Sequence, residues 1–188
     1  SVRVNLGLFQ HDVNVIWDLA VHDLSILDYL FSEKPMAVSA TGMAHISGQP
    51  ENVGYITLFF ASNIIAHIHV NWLSPVKVRK TLIGGSKKML VYDDLSIDEK
   101  VKIYDKGVSM TRNERNIYKM KVDYRIGEMY APLTDSTEAL GCLTNHFRNC
   151  IEGKEKPITS STSGLKVVQE MEAVCRSLAN NGVPENLQ

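Results

Sequence analysis

The sequence predicts an α+β domain: a largely antiparallel mixed sheet with helices packed on one face and the other face open. Three observations predict it. A single apolar helix precedes a run of short, turn-separated strands. Two further helical patterns close the chain. Strands and helices nowhere alternate in the order a parallel sheet requires. At 188 residues, 44% apolar and 22% charged, the chain is long enough for one such core.

The elements follow in order. Val2, Val4 and Leu6 alternate, so residues 2–9 read as a first strand. It is already under way at Ser1, with no polar leader, which suggests a piece of something longer. His11-Asp12-Val13-Asn14 is polar, and Asp12 or Asn14 supplies an N-cap oxygen for a helix from about 15 to 31. That helix is apolar almost all round, so it is buried on most sides. Pro35 ends it, lacking an N–H and restraining Lys34. Strands are predicted at 37–46, 55–61, 64–72, 76–83, 89–92 and 101–104, with turns at Gly48-Gln49-Pro50, Ser62-Asn63 and Ser74-Pro75. Residues 105–133 are charged and aperiodic. They read as a long excursion with a strand near 118–124. Thr134 or Asp135 caps a helix running to about 151, with Leu140, Leu143, Phe147 and Cys150 on one face. A last helix spans about 161–179 and ends at Asn180-Asn181-Gly182.

Composition narrows the function. A net charge of -1 gives no electrostatic reason for a nucleic-acid or anionic-membrane partner. No apolar run approaches the roughly 20 residues of a membrane span. Cys142, Cys150 and Cys175 form no CxxC pair; as small buried hydrophobes they suit a reducing cytoplasm.

The sharpest chemical signal is in the first helix. Asp18, His22 and Ser25 stand at i, i+4 and i+7, one stripe on an otherwise oily surface. A carboxylate one turn before a histidine can fix its tautomer, as a general acid/base requires. The same spacing also suits a satisfied Asp–His hydrogen bond in a core. A metal site needs ligands the sequence does not place nearby. His67 and His69 share a strand face with Asn71, opposite Ile68, Val70 and Trp72, and lack a third ligand; the open sheet face is their expected place. Lys77 and Arg79 share a strand face and suit a substrate phosphate or carboxylate, or a solvated edge. Lys100, Lys102, Arg112, Arg115, Lys119 and Lys121 form a loose, solvated basic scatter.

The stretch Trp17-Asp18-Leu19-Ala20-Val21-His22-Asp23-Leu24 resembles the pocket-helix signature of the glucose-fructose oxidoreductase/inositol dehydrogenase/MocA (Gfo/Idh/MocA) family, an Asp-x-x-x-His-Asp pattern. Asn71-Trp72-Leu73-Ser74-Pro75-Val76-Lys77-Val78-Arg79 is similar to the family's Ser-Trp-Leu-x-Pro-x-Lys-x-Arg stretch. Gly84–Asp94 resembles its next hairpin, and Phe147–Gly153 with Pro157 the link between its closing helices. The resemblance implies that residues 1–188 are a C-terminal substrate-binding and oligomerisation domain, with the N-terminal Rossmann domain absent from this chain. It implies an NAD(P)-dependent oxidoreductase passing hydride between nicotinamide and a sugar or nucleotide-sugar carbon, inactive as this fragment alone. His22 is then the proton-transfer residue and Asp18 its orienting carboxylate. Asn14, Trp17, Lys77 and Arg79 line the substrate. NAD or NADP is held by the full-length protein and not by this chain, and no metal is implied. Partners are a small sugar, the chain's own Rossmann domain, and further copies as a homodimer or homotetramer through the open sheet face. The alternative is a non-catalytic dimerisation or ligand-sensing module of the same fold. Relatives often carry Pro at the position of Val21. The family's glycine-rich phosphate turn is missing, and Glu33-Lys34-Pro35 spells its catalytic tripeptide in the wrong place, at a helix-to-strand turn.

Overall fold

The computed structural model describes residues 1–7, 9–112, 120–135 and 137–187. They form two compact units, Ser1–Val78 with Ser136–Gln188, and Arg79–Asp135. The architecture is α+β: a mixed, mostly antiparallel sheet, with nine strands among the described residues.

The first unit holds strands β1 (Val2–Leu6), β2 (Ala37–Met43), β3 (Val53–Phe59), β4 (Ile65–Asn71) and the start of β5 (Leu73–Gly84). A π-helical turn, Ile16–Ala20, runs into α1 (Val21–Leu30). Helices α2 (Ala139–Ile151) and α3 (Ser161–Ala179) and the two-residue strand β9 (Glu185–Asn186) complete it. The strands lie in the order β1-β4-β3-β2-β9. β1 runs parallel to β4, and the other pairs are antiparallel.

Alternation fixes which face is covered. Val38, Ala40, Ile56, Leu58, Ile68 and Val70 point the same way and are at most 1% exposed. They pack under Ile16, Ala20 and Leu24 from the first helical segment and Met171 and Val174 from α3. The opposite face carries Tyr55, Thr57, His67 and His69, brought together by the pairings Tyr55 with His69 and Thr57 with His67. The histidines therefore occupy the open face, as expected.

Capping sets the helix ends. Asn14 accepts the Trp17 N–H at 3.1 Å, satisfying an orphan donor of the first helical turn. Ser160 accepts the Ser163 N–H at 3.3 Å to cap α3. Asn181 (φ 56°) and Gly182 (φ 86°) take left-handed backbone to end it, and the Gly182 N–H reaches the Ser177 carbonyl at 2.8 Å.

Several expectations need correcting. Thr134 and Asp135 do not cap α2, which begins at Ala139 behind Glu138 because the segment after Tyr130 stays irregular. Leu140, Leu143 and Phe147 share a face of α2, but it is 60–67% exposed. Cys142 is exposed and Cys150 and Cys175 are half-buried, so none is a fully buried hydrophobe. Ser74-Pro75 is not a turn. The bend falls at Trp72, and β5 runs through Pro75 while Ser74 Oγ donates to the Val76 carbonyl at 2.7 Å. β9 went unforeseen, two residues being too few for any period to appear.

The second unit is an antiparallel meander of the remainder of β5 with β6 (Met89–Asp93), β7 (Val101–Arg112) and β8 (Met120–Tyr130). Of the expected excursion over 105–133, residues 105–112 lie in β7 and 120–130 in β8, which overlaps the strand expected near 118–124, with an irregularity between Tyr104 and Lys106. Residues 124–130 of β8 are exposed on both faces, so the strand rests on backbone pairing although Tyr124 and Ile126 alternate with Arg125. Of the basic scatter, Arg115 and Lys119 lie outside the described residues, as does Tyr118 of the expected strand. No described helix is long and apolar enough to cross a membrane.

Candidate active site

The π turn decides what the polar stripe becomes. A π turn closes i→i+5 bonds and is wider than an α turn, so the expected i, i+4 stacking of Asp18 on His22 is lost. Asp18 turns inward and accepts the indole N–H of Trp72 at 2.9 Å. Trp72 is 1% exposed and edge-packed on Phe9 at 5.6 Å. The bond satisfies a buried indole that would otherwise cost about 1–3 kcal/mol. His22 turns outward and is exposed, and no hydrogen bond joins it to Asp18. Ser25 is half-buried one turn on.

Asn14 sits behind this turn, its amide also donating to Glu51 at 3.1 Å. Trp17 donates its indole N–H to Cys175 Sγ at 3.1 Å, tying the turn to α3. Burial pushes the Cys175 thiol up, and the indole bond opposes that. Lys77 is exposed on β5. Arg79 is engaged by Asp94 at 3.5 Å, and Asp94 also accepts from the Tyr92 hydroxyl at 2.8 Å. The structure thus places Asn14, Trp17, Asp18 and His22 along the first helical segment and its entry, with Lys77 and Arg79 further along the chain.

Residues to which the sequence assigned no separate role complete the surroundings. Asp23, 2% exposed, is gripped by Arg3 Nε at 2.8 Å and by the Ser1 hydroxyl at 2.7 Å, which pins β1 to α1. The His-Asp of the motif therefore has one outward imidazole and one inward structural carboxylate. The alternation of Val2 and Val4 around Arg3 was the available hint. Asp28 holds Lys166 at 3.1 Å and accepts from Ser163 Oγ at 3.0 Å. Near it, burial and then the Asp28 charge raise Glu170 to about 7, with Lys166 and Lys34 opposing.

On the open face, His69 stacks on Tyr55 at 4.5 Å, and its Nε2 is buried without a hydrogen-bond partner. Burial and then the neighbouring His67 lower its pKa. Glu33 accepts from the Ser62 hydroxyl, Lys34 is exposed and Pro35 is buried, so Glu33-Lys34-Pro35 is a tied link between α1 and β2.

The residues present do not fit a dinucleotide. Gly84-Gly85 is a hairpin turn between β5 and β6, with the Gly85 N–H bonded to the Lys88 carbonyl at 3.0 Å. A phosphate cradle needs a glycine turn leading into a helix N-terminus. Among the described residues, no group of three or more His, Cys, Asp or Glu side chains is placed to hold a metal ion.

Residues 9–91 match the family model described as the GFO/IDH/MocA C-terminal domain. Three similar solved structures are instructive. The UDP-N-acetylglucosamine 3-dehydrogenase of Acidithiobacillus ferrooxidans superposes with a TM-score of 0.72 at 19% identity, over 95% of this chain and 52% of that one. The aldose-aldose oxidoreductase of Caulobacter crescentus gives 0.72 and 19%, over 99% and 54%. The WlbA dehydrogenase of Bordetella pertussis, in complex with NADH and UDP-GlcNAcA, gives 0.62 and 18%, over 94% and 46%. At such identities the likeness is one of fold, and the chain spans about half the length of these structures. No curated protein matches the chain.

Proposed function

We propose that this chain, which carries a GFO/IDH/MocA C-terminal domain at residues 9–91, is the substrate-binding domain of an NAD(P)-dependent sugar oxidoreductase. The observation that carries this reading is His22, held on a rigid helix yet open to solvent, one turn beyond a carboxylate that is fixed in place. A general acid/base must reach its substrate, and a sealed imidazole could not.

His22 accepts or returns the proton of the reacting hydroxyl. Asp18 contributes through Trp72 and the shape of the π turn, since it does not bond the imidazole. Asn14 and Trp17 hold that turn rigid, and Lys77, exposed on β5, reaches toward the substrate. Arg79, which belongs to the second unit, is held by Asp94. Nicotinamide comes from a separate dinucleotide-binding domain; Gly84-Gly85 of this chain lies in a hairpin and leads into no helix. The neighbours' printed substrates support a sugar or nucleotide sugar. Copies associate through the open sheet face, where Met43, Tyr55, Phe59 and Ile65 are 36–66% exposed. Three free thiols suit a reducing cytoplasm.

Two measurements test the reading. Calorimetry of the 188-residue chain with NAD should give no binding heat; tight binding contradicts the reading. In the full-length enzyme, His22→Ala should lower kcat by about 10²–10⁴ and leave KM nearly unchanged.

A further inference from the structure

The outer stripe of α1 does not stop at His22. Ser25, Ile26 and Tyr29 follow at i+3, i+4 and i+7, on the same side of the helix. His22 and Tyr29 are thus separated by about 10 Å along the axis, at ~1.5 Å per residue. At the Tyr29 end the stripe opens into a cleft of about 570 Å³, within the usual size of a small-molecule site. Ser25, Asp28, Tyr29, Thr159, Thr162 and Lys166 line it.

The lining selects a chemistry. Tyr29 is 73% exposed and offers a ring face, flanked by Ile26 and Ile158. An aromatic face beside a carboxylate and several hydroxyls suits a pyranose, whose C–H face lies on the ring while its rim hydroxyls donate and accept. The charges argue against a phosphate. Lys166 is already held by Asp28 at 3.1 Å. A diphosphate here would meet the Asp28 carboxylate instead of a free cation.

We infer that this cleft binds the remote unit of a neutral oligosaccharide or glycoside whose reacting unit lies at His22. The link to His22 rests on the sugar-oxidoreductase reading, whereas binding in the cleft does not. The substrate is then longer than one pyranose and uncharged at its far end.

The test is a titration of the 188-residue chain, labelled at isoleucine δ1 methyls, with maltose, cellobiose and N,N′-diacetylchitobiose in turn, and with uridine diphosphate. At least one disaccharide should move the Ile26 and Ile158 resonances, and uridine diphosphate should not. Tyr29→Ala, an exposed change that leaves the core intact, should weaken that binding about tenfold. His22→Ala should leave the Ile158 shift in place. Silence of both resonances with all three disaccharides overturns the inference. So does an unchanged affinity in Tyr29→Ala, or a response to uridine diphosphate alone. Loss of turnover in full-length His22→Ala alongside silent isoleucines defeats the cleft and spares the catalytic reading. Intact turnover alongside moving isoleucines does the reverse.

Discussion

Asp23 and His22 are adjacent in sequence and opposite in fate. Asp23 sits in the interior, where Arg3 and Ser1 neutralise and bond it. Removing one partner of a buried pair strands the other, so Asp23→Asn should destabilise the domain by about 3 kcal/mol in urea titration. Glu170 is the opposite case, a carboxylate held near 7 instead of the usual 4.5. Between those values the folded state keeps a proton that the unfolded chain has released. Stability therefore falls as pH rises through that window and levels off above it. Glu170→Gln should flatten this dependence and raise Tm on the alkaline side by the equivalent of about 2–3 kcal/mol, read from melts on either side of the window. The polar residues of the first helix were legible in sequence because an oily helix makes its polar exceptions conspicuous. Their partners were not. Trp72 lies 54 residues from Asp18, and no local pattern joins them.

At the scale of elements, the first helix shows where periodicity misleads. The 3.6-residue period placed Asp18 over His22, but the π turn at Ile16–Ala20 separates them. That turn is seated by a close approach. A Cβ on Gly54 of β3 would stand 2.8 Å from Ile16 Cγ1. Gly54→Ala should therefore push Ile16 off its seat and cost about 1–3 kcal/mol, measured by chemical unfolding. β2, β3 and β4 were readable because one face is buried and the other is not. β7 and β8 were harder to read: residues 124–130 of β8 are exposed on both faces, so its alternation of Tyr124 and Ile126 with Arg125 marks no buried face, and the ladder between the strands does not write itself into the sequence.

For the whole molecule, the two sheet faces have different uses. One is closed by α1 and α3; the other leaves Tyr55, Phe59 and Ile65 exposed, and is the face proposed to meet a second copy. Tyr55→Glu should shift the chain toward monomer in sedimentation velocity, with far-UV circular dichroism unchanged. Fold class was legible because element order constrains it more tightly than any single boundary does.

The central claim is that an exposed imidazole on the π-turned helix performs proton transfer on a sugar hydroxyl. Its most direct test is sugar oxidation by the full-length enzyme with His22→Gly, with and without added imidazole. Turnover should fall by about 10²–10⁴ and recover in part when free imidazole is supplied. Turnover equal to the parent enzyme's, or a loss that imidazole does nothing to restore, would contradict it.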